Sequence, residues 1–202
     1  MKLEVIATNL EDVQVLNQSV ADRIEFCHSL EVGGLTPDYE SIQKAGENSR
    51  LPVNVMVRPH DKGYVYSDQE FAQMLQDVEF IASTKVAGIV VGVLTANGEI
   101  DITKLQKIIA LKKEKTLTFH RAFQEVQDPI KGLRQLAGLG VERVLTSGTA
   151  NINEGLDLLE TLQKQQKVLI MAGGGVNFSN VNTIKTIVDE VHVGTAVREQ
   201  PN

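Results

Sequence analysis

The chain has 202 residues, 42% apolar and 23% charged, enough for the core of one domain and too ordinary in composition for a disordered or collagen-like polypeptide. Twenty Lys and Arg against 26 Asp and Glu leave a net charge of −6, which removes the usual electrostatic basis for binding nucleic acid. The longest apolar stretch, residues 86–96, is too short and glycine-interrupted to span a bilayer; Glu4 spoils the start as a signal peptide; and the lone Cys27 excludes an intrachain disulfide or a CxxC zinc knuckle. One domain, 1–202, in the cytoplasm is the expectation.

Short Val/Ile-rich runs predict strands at 2–7, 23–27, 53–58, 88–93, 117–121, 143–147, 168–172 and 190–193. Helical patterns fill the gaps. Leu10, Val13, Leu16 and Val20 mark the first inward face. Thr36-Pro37 reads as an N-cap and first-turn proline ahead of Tyr39, Ile42 and Ala45. Ser67 to Glu70 is a capping box before Phe71, Met74, Leu75, Val78 and Ile81. Leu105, Ile108 and Ile109 mark the fourth helix, and Asp128-Pro129 opens the fifth, with Ile130, Leu133 and Leu136 behind it and Gly138 near its stop. Leu156, Leu159 and Leu162 mark the sixth; the seventh starts near Asn177 or Phe178 and carries Val181, Ile184 and Ile187.

Strict alternation of strand and helix predicts parallel pairing and a (β/α)8 TIM barrel, with an open doubly wound sheet as the alternative. Only nine residues follow the last predicted strand, so the eighth helix is expected to be absent or vestigial. Leu3, Val5, Val191 and Val193 would then be uncovered, which predicts a homo-oligomer, most simply a dimer.

Strand parity picks out a polar interior. With Leu3, Val5 and Ala7 facing the helices, Glu4 faces in; by the same rule Glu25, Cys27, Asn54, Met56, Arg58, Thr118, His120, Glu190 and His192 face in. Unpaired burial of such groups costs several kcal/mol each, so they pair or line a solvated cavity, with Arg58, His120, Arg121 and His192 as partners for the glutamates. Arg58, Arg121 and Cys27 fall at C-terminal strand ends, where barrel active sites are built. Gly173-Gly174-Gly175 follows the seventh strand and Gly194-Thr195 the eighth, where backbone N–H groups of many barrels hold a phosphate or another anion.

The segments RIEFC (23–27), GGLTP (33–37), VRP (57–59), YSD (66–68), GVL (92–94), TFHRAF (118–123), RVLTSG (143–148) and MAGGGV (171–176) resemble, in order, the CutC-type copper homeostasis family. The resemblance implies a cytoplasmic TIM barrel, usually oligomeric, linked by name to copper tolerance. It also implies a copper(I) cysteine pair at the ends of the first two strands, of which this chain keeps Cys27 and has Ala7 at the other position. Gln124 follows HRAF and His60-Asp61 follows Pro59, where family members often have other residues. Soft copper(I) prefers thiolate or thioether, with imidazole acceptable, which makes Cys27, Met56 and His192 the candidate metal set.

Two functions follow. One is copper homeostasis with weak copper(I) binding. The other is a barrel enzyme on a small anionic or phosphorylated molecule, with Glu25 and His120 as acid and base and Arg58 and Arg121 as the clamp. A barrel serving only as an assembly module is a third reading.

Overall fold

The computed structural model describes residues 1–197. Eight strands, β1 (Lys2–Ala7), β2 (Arg23–Phe26), β3 (Val53–Met56), β4 (Gly88–Val91), β5 (Thr116–Phe119), β6 (Arg143–Thr146), β7 (Leu169–Ala172) and β8 (Glu190–Val193), pair in chain order, all in parallel. β8 returns to pair with β1, setting Glu4 beside His192. The sheet is a closed barrel.

Seven helices cross between strands: α1 (Leu10–Leu16), α2 (Tyr39–Asn48), α3 (Asp68–Ser83), α4 (Ile102–Leu111), α5 (Pro129–Gly138), α6 (Leu156–Lys164) and α7 (Val181–Ile184). Two begin as their sequences predict. Ser67 and Glu70 form a reciprocal capping box at α3, and Asp128 caps α5 with Pro129 behind it. α2 differs: Asp38 is its N-cap, accepting the Ser41 N–H at 2.9 Å, because the Thr36 hydroxyl is used elsewhere, accepting the Arg58 N–H at 2.8 Å. α1 ends at Leu16, so Val20 lies beyond it and is 89% exposed rather than inward. α7 starts after Asn180 because the asparagine side chains hold a turn first: Asn177 accepts the Ser179 N–H and Asn180 accepts the Asn177 N–H, both at 2.9 Å.

After β8 the described chain makes one 3-10 turn, Thr195–Val197, and no α-helix. The flank this leaves is nevertheless covered, which removes the basis for the predicted dimer. Val5, Val191 and Val193 are buried and Leu3 half-buried in one core with Val13 of α1, Ile184 of α7 and Val188. No helix among the described residues is long and apolar enough to cross a membrane.

Strands β2, β3 and β5 end a residue or two earlier than predicted. Cys27, Arg58, His120 and Arg121 therefore lie just past their strands, although the Cys27 and His120 N–H groups extend the ladder by donating to Ala7 O at 3.1 Å and Val91 O at 3.0 Å.

Candidate functional site

The barrel floor is a closed ion-pair network. Glu4 of β1 accepts from the Arg23 Nε and, at 3.1 Å, from Asn54 Nδ2. Arg23 also donates to Glu190 Oε2 at 2.7 Å, and Arg143 donates to the same oxygen at 2.6 Å. Arg143 reaches Thr118 Oγ1 at 3.3 Å. Two arginines balance two glutamates, so the floor carries no net charge. Burial alone would raise Glu4, but His192 and Arg23 outweigh it and hold its carboxyl at about 2. Burial is likewise outweighed at Glu190, where Arg143 and Arg23 hold the carboxyl below its usual range.

These partners correct the sequence reading. His192 pairs with Glu4 as expected, but the guanidiniums that pair the glutamates are Arg23 and Arg143, which sequence reasoning missed; parity puts Arg23 on the face of Glu25, yet only the strand register commits it to the interior. Among the described residues, Arg58 and Arg121 make no ion pair with a carboxylate.

His192 links floor to mouth. Its Nδ1–H donates to Glu4 Oε1 at 2.9 Å, and its Nε2 faces Glu25 Oε1 at 3.9 Å. Burial would lower His192, but the charges of Glu25 and Glu4 and the bond to Glu4 outweigh it and raise it, favouring the cationic form between two carboxyls. Glu25 is 2% exposed, and its Oε2 has no hydrogen-bond partner. Burial pushes its carboxyl up to about 7, against the pull of His192. The expected pairing of Glu25 with Arg58 or His120 is not made.

Above this lies a cavity of about 650 Å³ at the C-terminal strand ends, and its wall includes Glu25, Met56, Arg58, His120, Arg121 and His192. Gly174, Gly175, Gly194 and Thr195 also line it, with the exposed Glu125 at the rim. Gly173 does not: its N–H is donated to Thr146 O at 3.1 Å, extending the ladder. Gly174 has to be glycine for two reasons. Its φ is +84°, and a Cβ there would stand 2.9 Å from the Arg121 Nε that packs across it. Arg121 is steadied by Gln124, whose Oε1 accepts its Nε–H at 2.6 Å, while Gln124 Nε2 donates to Ser147 and to Thr149 O.

Arg58 is 6% exposed. One guanidinium nitrogen donates to Val32 O at 2.8 Å and to Gly34 O at 3.3 Å, tying down the loop after β2, and its carbon lies 5.1 Å from the centre of the Tyr64 ring. Its Nε has no partner.

His120 is not the base that the sequence suggested. Its Nδ1 accepts the Ala122 N–H at 3.1 Å, and burial, reinforced by the Arg58 charge, lowers it to about 3. The ring is therefore neutral with its proton on Nε2, which is buried and unpartnered. It is a hydrogen-bond donor.

Comparison with known proteins places this architecture. The chain matches the CutC family over residues 1–197. It belongs to the CutC family. The family protein CutC of Glaesserella parasuis serovar 5 is 40% identical over 205 residues, covering 99% of this chain and 84% of the relative. That of Proteus mirabilis is 39% identical over 204 residues, covering 100% of this chain and 81% of the relative. Among solved structures, a CutC protein of Streptococcus agalactiae, named for copper homeostasis, superposes with a TM-score of 0.92 at 32% identity, covering 98% of this chain and 99% of that one. Phosphoribosyl anthranilate isomerase of Thermococcus kodakaraensis, 14% identical with a TM-score of 0.63 over 98% of this chain and 90% of its own, shares the fold alone.

CutC membership directs attention to copper, and the expected ligand set does not assemble. Cys27 is fully buried in a cluster with Ile6, Met56 and Val90. Cys27 and Met56 do flank one point: a Cβ on Gly34 would lie 3.1 Å from Cys27 Sγ and 3.5 Å from Met56 Cε. His192 does not join them, because both its nitrogens face carboxyls, Nδ1 toward Glu4 and Nε2 toward Glu25. Ligand atoms of Glu4, Glu25 and His192 lie within 4.8 Å of one another, but Arg23, Asn54 and His192 already occupy the oxygens of Glu4.

Proposed function

We propose that this CutC-family chain works in copper homeostasis by binding a small anionic metabolite in the barrel mouth, with Glu25 as the acid/base group and Arg58 and Arg121 as the clamp. One observation carries the reading. Arg58 is a buried guanidinium without a carboxylate partner, whereas Arg23 and Arg143 on the floor are both paired. A buried cation left uncompensated is costly, and an anionic ligand in the cavity it lines supplies the missing charge. Gly174, Gly175, Gly194 and Thr195 surround the same space. The setting in copper homeostasis is supported by family membership and by the naming of relatives; the cytoplasm is the proposed compartment, in keeping with a single cysteine.

Calorimetry with inorganic phosphate tests the site. Binding should weaken at least tenfold in Arg121→Met and fall as salt rises. Absence of binding, or affinity unchanged in Arg121→Met, overturns it.

A second reading is supported by the two sulfur side chains that flank Gly34: weak copper(I) binding by Cys27 with Met56. Competition against a copper(I) chelator should show binding that Cys27→Ser abolishes. Tight binding that survives Cys27→Ser overturns this reading.

A further inference from the structure

We propose that the barrel mouth enolises an anionic carbonyl compound: Glu25 takes a proton from the carbon beside a carbonyl whose oxygen is held by His120 Nε2–H. The proposal rests on the anion-site reading above and adds to it the substrate class and the step.

The argument starts from three residues that line the cavity, each with a buried polar atom the protein leaves unsatisfied: Glu25 Oε2, Arg58 Nε and His120 Nε2. Buried polar groups are nearly always hydrogen-bonded, so three in one cavity outline the polar groups of a ligand. Their types differ. Arg58 Nε donates and is cationic. His120 Nε2 donates and is neutral, and with Nδ1 engaged by the Ala122 N–H the ring has no lone pair with which to take a proton from a ligand. It can only polarise an oxygen. Glu25 is the one of the three that can gain and lose a proton at neutral pH.

A base that takes a proton, next to a donor that accepts none, fits chemistry in which negative charge moves onto a ligand oxygen. The C–H bond breaks and its electron pair becomes the C=C bond. The carbonyl π pair moves to the oxygen, giving an enolate held by His120 and facing the charges of Arg58 and Arg121. The proton rests on Glu25 and returns to the carbon it left, restoring the carbonyl and the carboxylate, so no oxidant, reductant or second substrate is needed. Cys27, the one thiol, lies in the apolar cluster and not on the cavity wall, so the step uses no covalent nucleophile. His192 is a positioning residue: anchored on Glu4, it presents Nε2 to Glu25 from below.

The test compares 2-phosphoglycolate, whose planar carboxylate beside a phosphate imitates an enediolate, with inorganic phosphate. 2-Phosphoglycolate should bind at least tenfold more tightly. That advantage should vanish in His120→Leu and persist in His120→Gln, whose amide N–H stands near the place of Nε2–H. In the wild-type protein the His120 Nε2–H proton resonance should move downfield when 2-phosphoglycolate binds, a readout that decides the matter alone if His120→Leu does not fold. Phosphate binding with no tighter binding of 2-phosphoglycolate, or with an unmoved resonance, overturns enolisation and leaves the anion site standing. Binding of neither overturns both.

Discussion

The Ala122 N–H donates to His120 Nδ1 at 3.1 Å, so a side chain two residues back caps the short turn that follows β5. A backbone amide cannot give up its proton, and it therefore fixes the imidazole tautomer more firmly than a hydroxyl or a water would. In the proposed site, the hydrogen-bond-donor end is set by local backbone geometry and the acid/base end, Glu25, by long-range burial.

His120 should stay neutral across the ordinary pH range. Imidazole NMR shifts should show the Nε2–H tautomer unchanged from pH 8 to pH 4.5, with protonation only near pH 3. A midpoint near 6.5 would refute the assignment.

Glu4→Gln should be strongly destabilising. It leaves Arg23 and His192 buried with reduced compensation, and a broken buried pair costs about 3–5 kcal/mol. Urea unfolding measures the loss. Lys44→Ala, which removes the exposed pair with Glu40, should unfold indistinguishably from wild type.

Stability should peak near pH 4.5 and fall on either side, for opposite reasons. Glu4 is lowered from 4.5 to about 2 in the folded protein, so its contribution is present above pH 4.5 and is lost as pH falls toward 2; Glu190 acts in the same direction. Glu25 is raised from 4.5 to about 7, so the folded state binds the extra proton between those values and stability declines as pH rises through 7, by on the order of 3 kcal/mol. His192, raised above 6.5, adds to that alkaline decline. Glu25→Gln should flatten most of it, so the variant should gain on wild type at pH 8.5 and differ little at pH 5. Thermal unfolding at the two pH values checks the sign.

Gly174→Ala should cost about 1–2 kcal/mol from its left-handed backbone and should also push Arg121 off its perch. Phosphate affinity should drop with it. A variant with normal phosphate binding would show that Arg121 is not held for the ligand.

Much of this was legible before any coordinates. Parity placed Glu4, Glu25, Asn54, His120 and His192 inside, and strand order gathered Glu25, Arg58, His120 and Arg121 at one end of the barrel. The pairings were not legible. Arg23 and Arg143 open their strands, where a long side chain is free to turn toward water; only the register that sets Glu4 beside Arg23 commits them to the interior. The His120 tautomer depends on a turn of three residues, which spacing does not encode. Cover for the Leu3 and Val191 flank depends on packing from α1 and α7 across the seam, beyond the reach of a pattern read strand by strand.

The bond between Glu4 and His192 joins residues 188 positions apart. Closing so long a loop is entropically slow, and the floor network makes incomplete closure unfavourable as well. A chain that has assembled β2 to β7 without its end strands holds Arg23 and Arg143 with neither Glu4 nor Glu190. The two guanidiniums then stand without a carboxylate partner. Joining the first and last strands neutralises both together, so the barrel has no comfortable six-stranded intermediate, and β1 and β8 join as one cooperative unit.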